Sequence, residues 1–222
     1  MKNAILILIM LAFWCTPATA GEPATPQADP EPFFSEYVEG AASKAPGDLA
    51  LEIFNPTLMP IDLGNMGYFI EIYSDGSLTA TMTIFLNGFL PPNGTFVLVA
   101  SSASAGLQAL ADQVETFFFD GNDLIALGFM TGQPKGPLQL PTYLDGIGQL
   151  GIDPTPPGYW GVCPLCTANV DLRRDPTVLY GDITLGDLYD VAAGWIANPP
   201  EDWTDLGTHI PVPVELSSFI IE

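Results

Sequence analysis

Apolar and polar residues alternate at period two through much of this chain. The run Phe33–Glu39 (FFSEYVE) opens the series. In Leu49–Phe54, Leu49, Leu51 and Ile53 share one face, and Ala50, Glu52 and Phe54 share the other. Tyr68, Ile70 and Ile72 repeat the pattern around Glu71. Across residues 78–85, Leu78, Ala80, Met82 and Ile84 point one way while Thr79, Thr81 and Thr83 point the other. Alternation of this kind predicts half-buried strands. Residues 96–100 (FVLVA) and 124–129 are apolar throughout and predict strands covered on both faces. Asn55-Pro56, Ser74-Asp75-Gly76, Asn87-Gly88, Pro92-Asn93-Gly94 and Asp120-Gly121-Asn122 separate the runs. These are turn residues, suited to positive φ or to a preset φ. Two stretches carry three- and four-residue steps instead and predict short helices. They are residues 105–114, through Leu107, Leu110 and Val114, and residues 186–197, through Leu188, Val191, Ala192 and Trp195. Many short strands with turns between them predict an all-β sandwich or barrel.

Composition narrows the function classes. The 222 residues hold 22 Gly and 22 Pro, about twice the usual share of Pro and about one and a half times that of Gly, which fits a turn-rich chain. With 48% hydrophobic residues, the chain is too apolar to be disordered. Five Lys+Arg against 26 Asp+Glu cannot form the basic patch that nucleic-acid binding requires, so no nucleic-acid partner is expected. A single His excludes a His-rich metal centre.

The first twenty residues read as an address. Lys2 gives a positive start, residues 4–14 form a short apolar core, and Ala18-Thr19-Ala20 is an A-x-A cleavage site. The apolar run is too short to span a bilayer. Trp14 before Cys15 disfavours a lipoprotein anchor, where a small residue is needed. Cleavage is expected between Ala20 and Gly21. Four cations then remain against 26 acids, a net charge of −22. Self-repulsion at that charge favours a monomer at neutral pH. Residues 21–32 form a Pro-rich linker, residues 33–210 a single domain, and residues 211–222 a C-terminal tail or linker.

The segment FFSEYVEGAASKAPGDLALEIFNPTLMPIDLGNMGYFI resembles the opening of the lamin tail domain family, in particular its bacterial secreted members. Further likenesses follow in order. They are the strand at residues 94–100, FDGNDLIAL at 119–127, LDGIGQLG at 144–151, Trp160-Gly161, Leu172-Arg173-Arg174, Trp195, and LGTH at 206–209. The resemblance implies an immunoglobulin-like β-sandwich without catalytic activity of its own. It also implies a role as an interaction module, or as an accessory domain beside a secreted hydrolase or phosphodiesterase. Residues 134–141 look like an insertion relative to the family, and the CPLC segment is not a family feature. The closing stretch, residues 210–219, is similar to the P-V-E-L-x-S-F segment that often precedes a sorting or anchoring module. A terminal strand is the other reading, and both stay open.

Several residues carry candidate chemistry. Glu36 and Glu52 could form a carboxylate pair, but such a pair needs a cleft and separated pKa values. The resemblance favours Glu52 and Asn55 as ligands of backbone groups at strand ends. No nucleophile elbow accompanies His209, so a closing-turn histidine bonded to backbone is expected rather than a triad. Arg173 and Arg174 hold half the mature cations, and pairing with a carboxylate such as Asp171 or Asp182 is expected. Asp182, Asp187 and Asp190 lie in an oxygen-rich stretch that could hold calcium, but it lacks the twelve-residue loop pattern. Asp187 reads instead as a helix N-cap. Cys163 and Cys166 form a C-x-x-C whose flanks read as a loop. Zinc would need two more ligands, and a thioredoxin-like pair would open a helix. The secretory signal places the chain where thiols oxidise, so an intramolecular disulfide is expected. The sequence thus predicts a secreted, non-catalytic binding, adhesion or structural module that needs no cofactor. Its expected partner is another secreted or surface protein or a matrix component. A calcium-dependent binding module is the alternative.

Overall fold

The computed structural model describes residues 30–40, 47–131, 140–199 and 201–212. In chain order the elements are β1 (Phe33–Glu39), β2 (Leu49–Phe54), β3 (Ile61–Asp62), α1 (Leu63–Met66) and β4 (Tyr68–Tyr73). Next come β5 (Met82–Phe85), β6 (Phe89–Leu90), β7 (Thr95–Ala100), α2 (Ala105–Gln108) and β8 (Gln113–Glu115). They are followed by β9 (Leu124–Thr131), β10 (Leu140–Ile147), β11 (Gly161–Val162), β12 (Leu165–Cys166), β13 (Asp171–Arg174) and β14 (Trp195–Asn198). A six-stranded sheet runs β14-β13-β1-β2-β7-β8 and a four-stranded sheet runs β10-β9-β4-β5. All pairings in the two are antiparallel except β7 with β8.

The two sheets pack face to face as an all-β sandwich. Phe34, Tyr37, Leu51, Ile53, Phe96, Leu98, Leu172 and Trp195 of the larger sheet meet Tyr68, Ile70, Ile72, Ile84, Ile125 and Leu127 of the smaller. Burying one such side chain is worth about 1.5–3 kcal/mol, so this layer dominates the stability of the fold. Phe34 and Tyr37 are three residues apart, which at period two would place them on opposite faces. A register shift between Phe34 and Glu36 absorbs the extra residue. The bulge turns Ser35, Glu36 and Val38 onto the outer face of the larger sheet.

That outer face is also covered. Val38, Ala50, Val97 and Val99 pack under Ala103, Leu107 of α2 and Leu206. The segment 201–210 crosses the sheet beside β1, β2 and β13 as a strap. Its backbone N–H groups are held by sheet carboxylates, Asp202 N by Asp171 Oδ2 at 2.8 Å and Gly207 N by Glu52 Oε2. Gly207 sits at φ +99°, a conformation that glycine adopts without strain.

Three predicted elements differ. Residues 78–81 are turn rather than strand, and Leu78 is exposed. There Thr81 holds Ile72 O through both its N–H (2.7 Å) and its Oγ1 (2.9 Å). The first helix stops after one turn at Gln108, because only Leu107 of its apolar set finds a core. Leu110 and Val114 are exposed, and Val114 joins β8. The second helix does not form. Asp190, not Asp187, caps a single 3-10 turn at Val191–Ala193, accepting from Ala192 N at 3.0 Å. Gly194 then leaves helical space, and Trp195 enters β14 opposite Arg174. A ladder with β13 outweighs the weak propensity of a segment bounded by Gly186 and Gly194. The signal peptide, most of the linker, residues 213–222 of the tail and most of the insertion fall outside the described residues. Among the described residues no helix is long and apolar enough to cross a membrane.

Cys163 and Cys166 are joined, with Cα atoms 4.7 Å apart, closing the β11–β12 hairpin. The closed loop is near the minimum length, so loop-closure entropy is small. Reduction is expected to cost at most about 1–2 kcal/mol. Urea melts of oxidised and reduced protein check this, and a loss several times larger would contradict it.

Candidate functional site

Arg174 is the best-anchored cation of the fold. Its Nη2 pairs with Asp145 Oδ2, its Nε donates to Phe34 O at 2.8 Å, and its guanidinium lies 4.1 Å from the Trp195 ring centroid. Asp145 also accepts from Phe34 N (2.8 Å), Asp182 N (2.7 Å) and Gly146 N (2.9 Å). Burial pushes this carboxyl up, and the guanidinium and the three N–H groups oppose that. Gly181 lets the chain approach, since a side chain there would strike the Leu144 carbonyl oxygen. The expected arginine–carboxylate pairing is present, with Asp145 and Asp205 as partners rather than Asp171 or Asp182.

A second group of charges lies on the outer face beneath the strap. Cross-strand register sets Arg173, Glu36 and Glu52 side by side on β13, β1 and β2. Arg173 pairs with Asp205 of the strap and donates to Asp202 O at 3.3 Å. Glu52 commits both oxygens, accepting from Ser35 Oγ at 2.6 Å and from Gly207 N. Glu36 is 2% exposed, and its Oε1 has no hydrogen-bond partner. Burial, followed by the Asp205 and Glu52 charges, pushes its pKa up to about 9. Burial likewise raises Glu52 to about 7 and Asp171 to about 7.

His209 closes this region. Its ring packs edge-on against Phe54 and Phe33, with centroids 4.8 and 5.9 Å apart. Its Nε2 is buried without a partner, and burial lowers its pKa to about 4, so the imidazole is neutral at pH 7. The expected backbone bond at this histidine gives way to an aromatic seat. A cavity of about 360 Å³ opens here, with Glu36 at its buried end and Ile196 and Ile210 toward solvent.

Asn55 behaves as the sequence predicts. It is fully buried and its Nδ2 donates to Met59 O (2.9 Å) and Pro91 O (3.0 Å), while Oδ1 accepts from Thr57 N (2.9 Å). Glu52 does bind backbone, but the backbone is that of the strap. Asp182, Asp187 and Asp190 line one depression of about 240 Å³. Asp182 Oδ1 accepts from Thr184 N at 2.9 Å and Asp190 Oδ1 caps the 3-10 turn. Among the described residues, no group of three or more His, Cys, Asp or Glu side chains is placed to share a metal ion.

Comparison with protein-family models, curated proteins and solved structures finds no match.

Proposed function

We propose that this chain is a secreted, non-catalytic binding or structural module of lamin-tail type, acting in adhesion or in assembly with another secreted or surface protein. One observation carries the reading. Residues that bear the family resemblance, scattered over the whole sequence, are hydrogen-bonded or packed to one another in space. Asp145 of LDGIGQLG pairs with Arg174 of the Leu-Arg-Arg run, and Arg174 stacks on Trp195. Glu52 and Phe54 of the opening segment hold Gly207 and His209 of LGTH. Such mutual contacts are what a shared fold framework requires, and they support the resemblance as a structural one. Glu52 commits both oxygens to that framework, which leaves Glu36 without a second free carboxylate for acid–base work.

Labelled mature protein is expected to bind saturably to the surface of the cells that secrete it, with unlabelled protein competing. It is expected to turn over no ester, phosphodiester or glycoside. Turnover abolished by Glu36→Gln or Glu52→Gln would overturn the reading. Calcium binding is the second reading; Asp182, Asp187 and Asp190 line one depression but do not converge as a set of three ligands, so an ion there would take most of its ligands from water and backbone. A melting temperature raised at millimolar calcium is its expected mark.

A further inference from the structure

Glu36 differs from the carboxylates around it. Asp145 and Glu52 each receive hydrogen bonds at both oxygens. Asp171 Oδ2 receives Asp202 N. Glu36 Oε1 receives none, although its side chain is almost wholly buried. The adjacent cation on its row, Arg173, is turned away to Asp205. His209, whose Nε2 is a second buried atom without a partner, is a residue of the same cavity lining. Asp205 Oδ1 also lacks a hydrogen bond and lines the cavity, but it is ion-paired with Arg173; the buried unpartnered atoms of Asn122, Asp171 and Tyr189 belong to residues outside this lining. A buried polar group without a hydrogen bond is destabilising. Two residues of one cavity lining each hold such an atom, so a molecule entering the cavity could satisfy both after a small side-chain shift.

The charges and the walls define its chemistry. The groups that face Glu36 are Asp205, Glu52 and Asp171 against Arg173 alone. Arg174 also lines the cavity, but its charge is matched by Asp145. The balance calls for a cation. A shared metal ion is not the fit, because no set of three ligating side chains converges among the described residues. Pro176, Ile196 and Ile210 give the open end an apolar wall, which suits an aliphatic stem with its charged head directed inward. An ammonium carries three donors and no acceptor. Glu36, on giving up its proton, and the neutral His209, with its hydrogen on Nδ1, can each accept from it.

The geometry points to a recognition pocket for a primary ammonium on an aliphatic stem, with Glu36 and His209 as its polar contacts. The ammonium belongs either to a free alkylamine or to a lysine side chain of a partner polypeptide. The inference rests on the binding-module reading, in that it names the ligand class of one site on such a module. Binding carries a proton balance. Glu36 holds its proton at pH 7, so the step is carboxylic acid plus alkylammonium giving a carboxylate–ammonium pair and one proton to the buffer.

Calorimetric titration of the mature protein with n-pentylammonium and with Nα-acetyl-lysine methylamide tests this. Repeating it in buffers of different ionisation enthalpy counts the proton. Saturable binding is expected at pH 7 with release of about one proton per ammonium. Glu36→Gln is expected to abolish the release and to weaken binding about tenfold or more. Glu115→Gln, an exposed acid elsewhere, is expected to change neither. Comparable binding of both probes assigns the pocket to free amines, and tighter binding of the capped lysine assigns it to a polypeptide. Absence of binding by both probes at millimolar concentration would overturn the inference. Binding without proton release, or binding unaltered by Glu36→Gln, would do so too. The proton count is made on unaltered protein, so it holds even if the variant folds poorly. Failure here with cell-surface binding intact would remove the pocket and leave the proposed function standing.

Discussion

Replacing Asp145 with Ala is expected to destabilise the fold by about 3–5 kcal/mol, enough to unfold many domains of this size. The side chain is fully buried and anchors four donors, three of them backbone N–H groups from β1, β10 and the 181–182 turn. Its removal leaves the Arg174 guanidinium, 5% exposed, without its counter-charge against Trp195 and Phe33. The penalty arises mainly from the charge left behind. Asp145→Asn keeps an acceptor for the N–H groups and is expected to cost less than Asp145→Ala. Asp145→Leu combined with Arg174→Met removes both charges and is expected to recover part of the loss, because an apolar pair of similar volume needs no solvation. Urea denaturation of the four proteins measures this. A loss below about 1 kcal/mol for Asp145→Ala would show the pair to be a bystander.

Much of the sandwich was legible in the sequence, and the reasons for the misses are physical. The β1, β2 and β4 runs carry their own apolar face and β7 and β9 are apolar throughout, so local pattern finds all five without tertiary information. β13 and β14 are short and charged. Leu172-Arg173-Arg174 becomes a strand because it lies beside β1, and Trp195 becomes one because it lies beside β13. Neighbours supply that order, and local pattern does not encode it. The first helical reading held for one turn only, because Leu107 alone of its apolar set is buried, and the second failed because neighbours again supply the order. A weak helical step in residues 186–197 competes with a sheet edge that offers a full ladder. Pairing of Arg173 and Arg174 could be read from the scarcity of cations, but the identity of the partners could not. Asp145 left a trace, a lone charge entering an apolar stretch at the end of β10, which signals a buried ion in need of a counter-charge. Glu36 left none. Its isolation depends on a bulge, on Arg173 turning to Asp205, and on a strap more than 160 residues further along the chain.

Stability is expected to fall as pH rises from 5 to 9, with Glu36 a leading contributor. Among the described residues six buried carboxyls stand above their ordinary range, Asp145 among them. Glu36 reaches about 9, Glu39, Glu52 and Asp171 about 7, and Asp123 about 6, with burial the leading cause in each. In the unfolded chain these groups ionise near pH 4. Between that pH and the folded value, the folded state holds a proton that the unfolded chain has released. Raising pH through this window therefore favours unfolding, by up to about 1.4 kcal/mol per pH unit for each group. His209 acts in the opposite sense. Its pKa is lowered to about 4 from 6.5, so below pH 6.5 the unfolded chain takes up a proton that the folded state refuses. One imidazole against six carboxyls does not reverse the trend above pH 5. Repulsion among the surface acids of a chain of net charge −21 adds to the loss at high pH. Salt separates the two effects, since it screens surface repulsion and leaves buried titration largely intact. Thermal melts at pH 5 to 9 in high salt should still slope downward. Glu36→Gln cannot titrate, so it should show a shallower slope and exceed the unaltered protein in stability at pH 9. A slope unaffected by Glu36→Gln would mean that this carboxyl is ionised in the fold at neutral pH. A flat profile in high salt would assign the whole pH dependence to the surface.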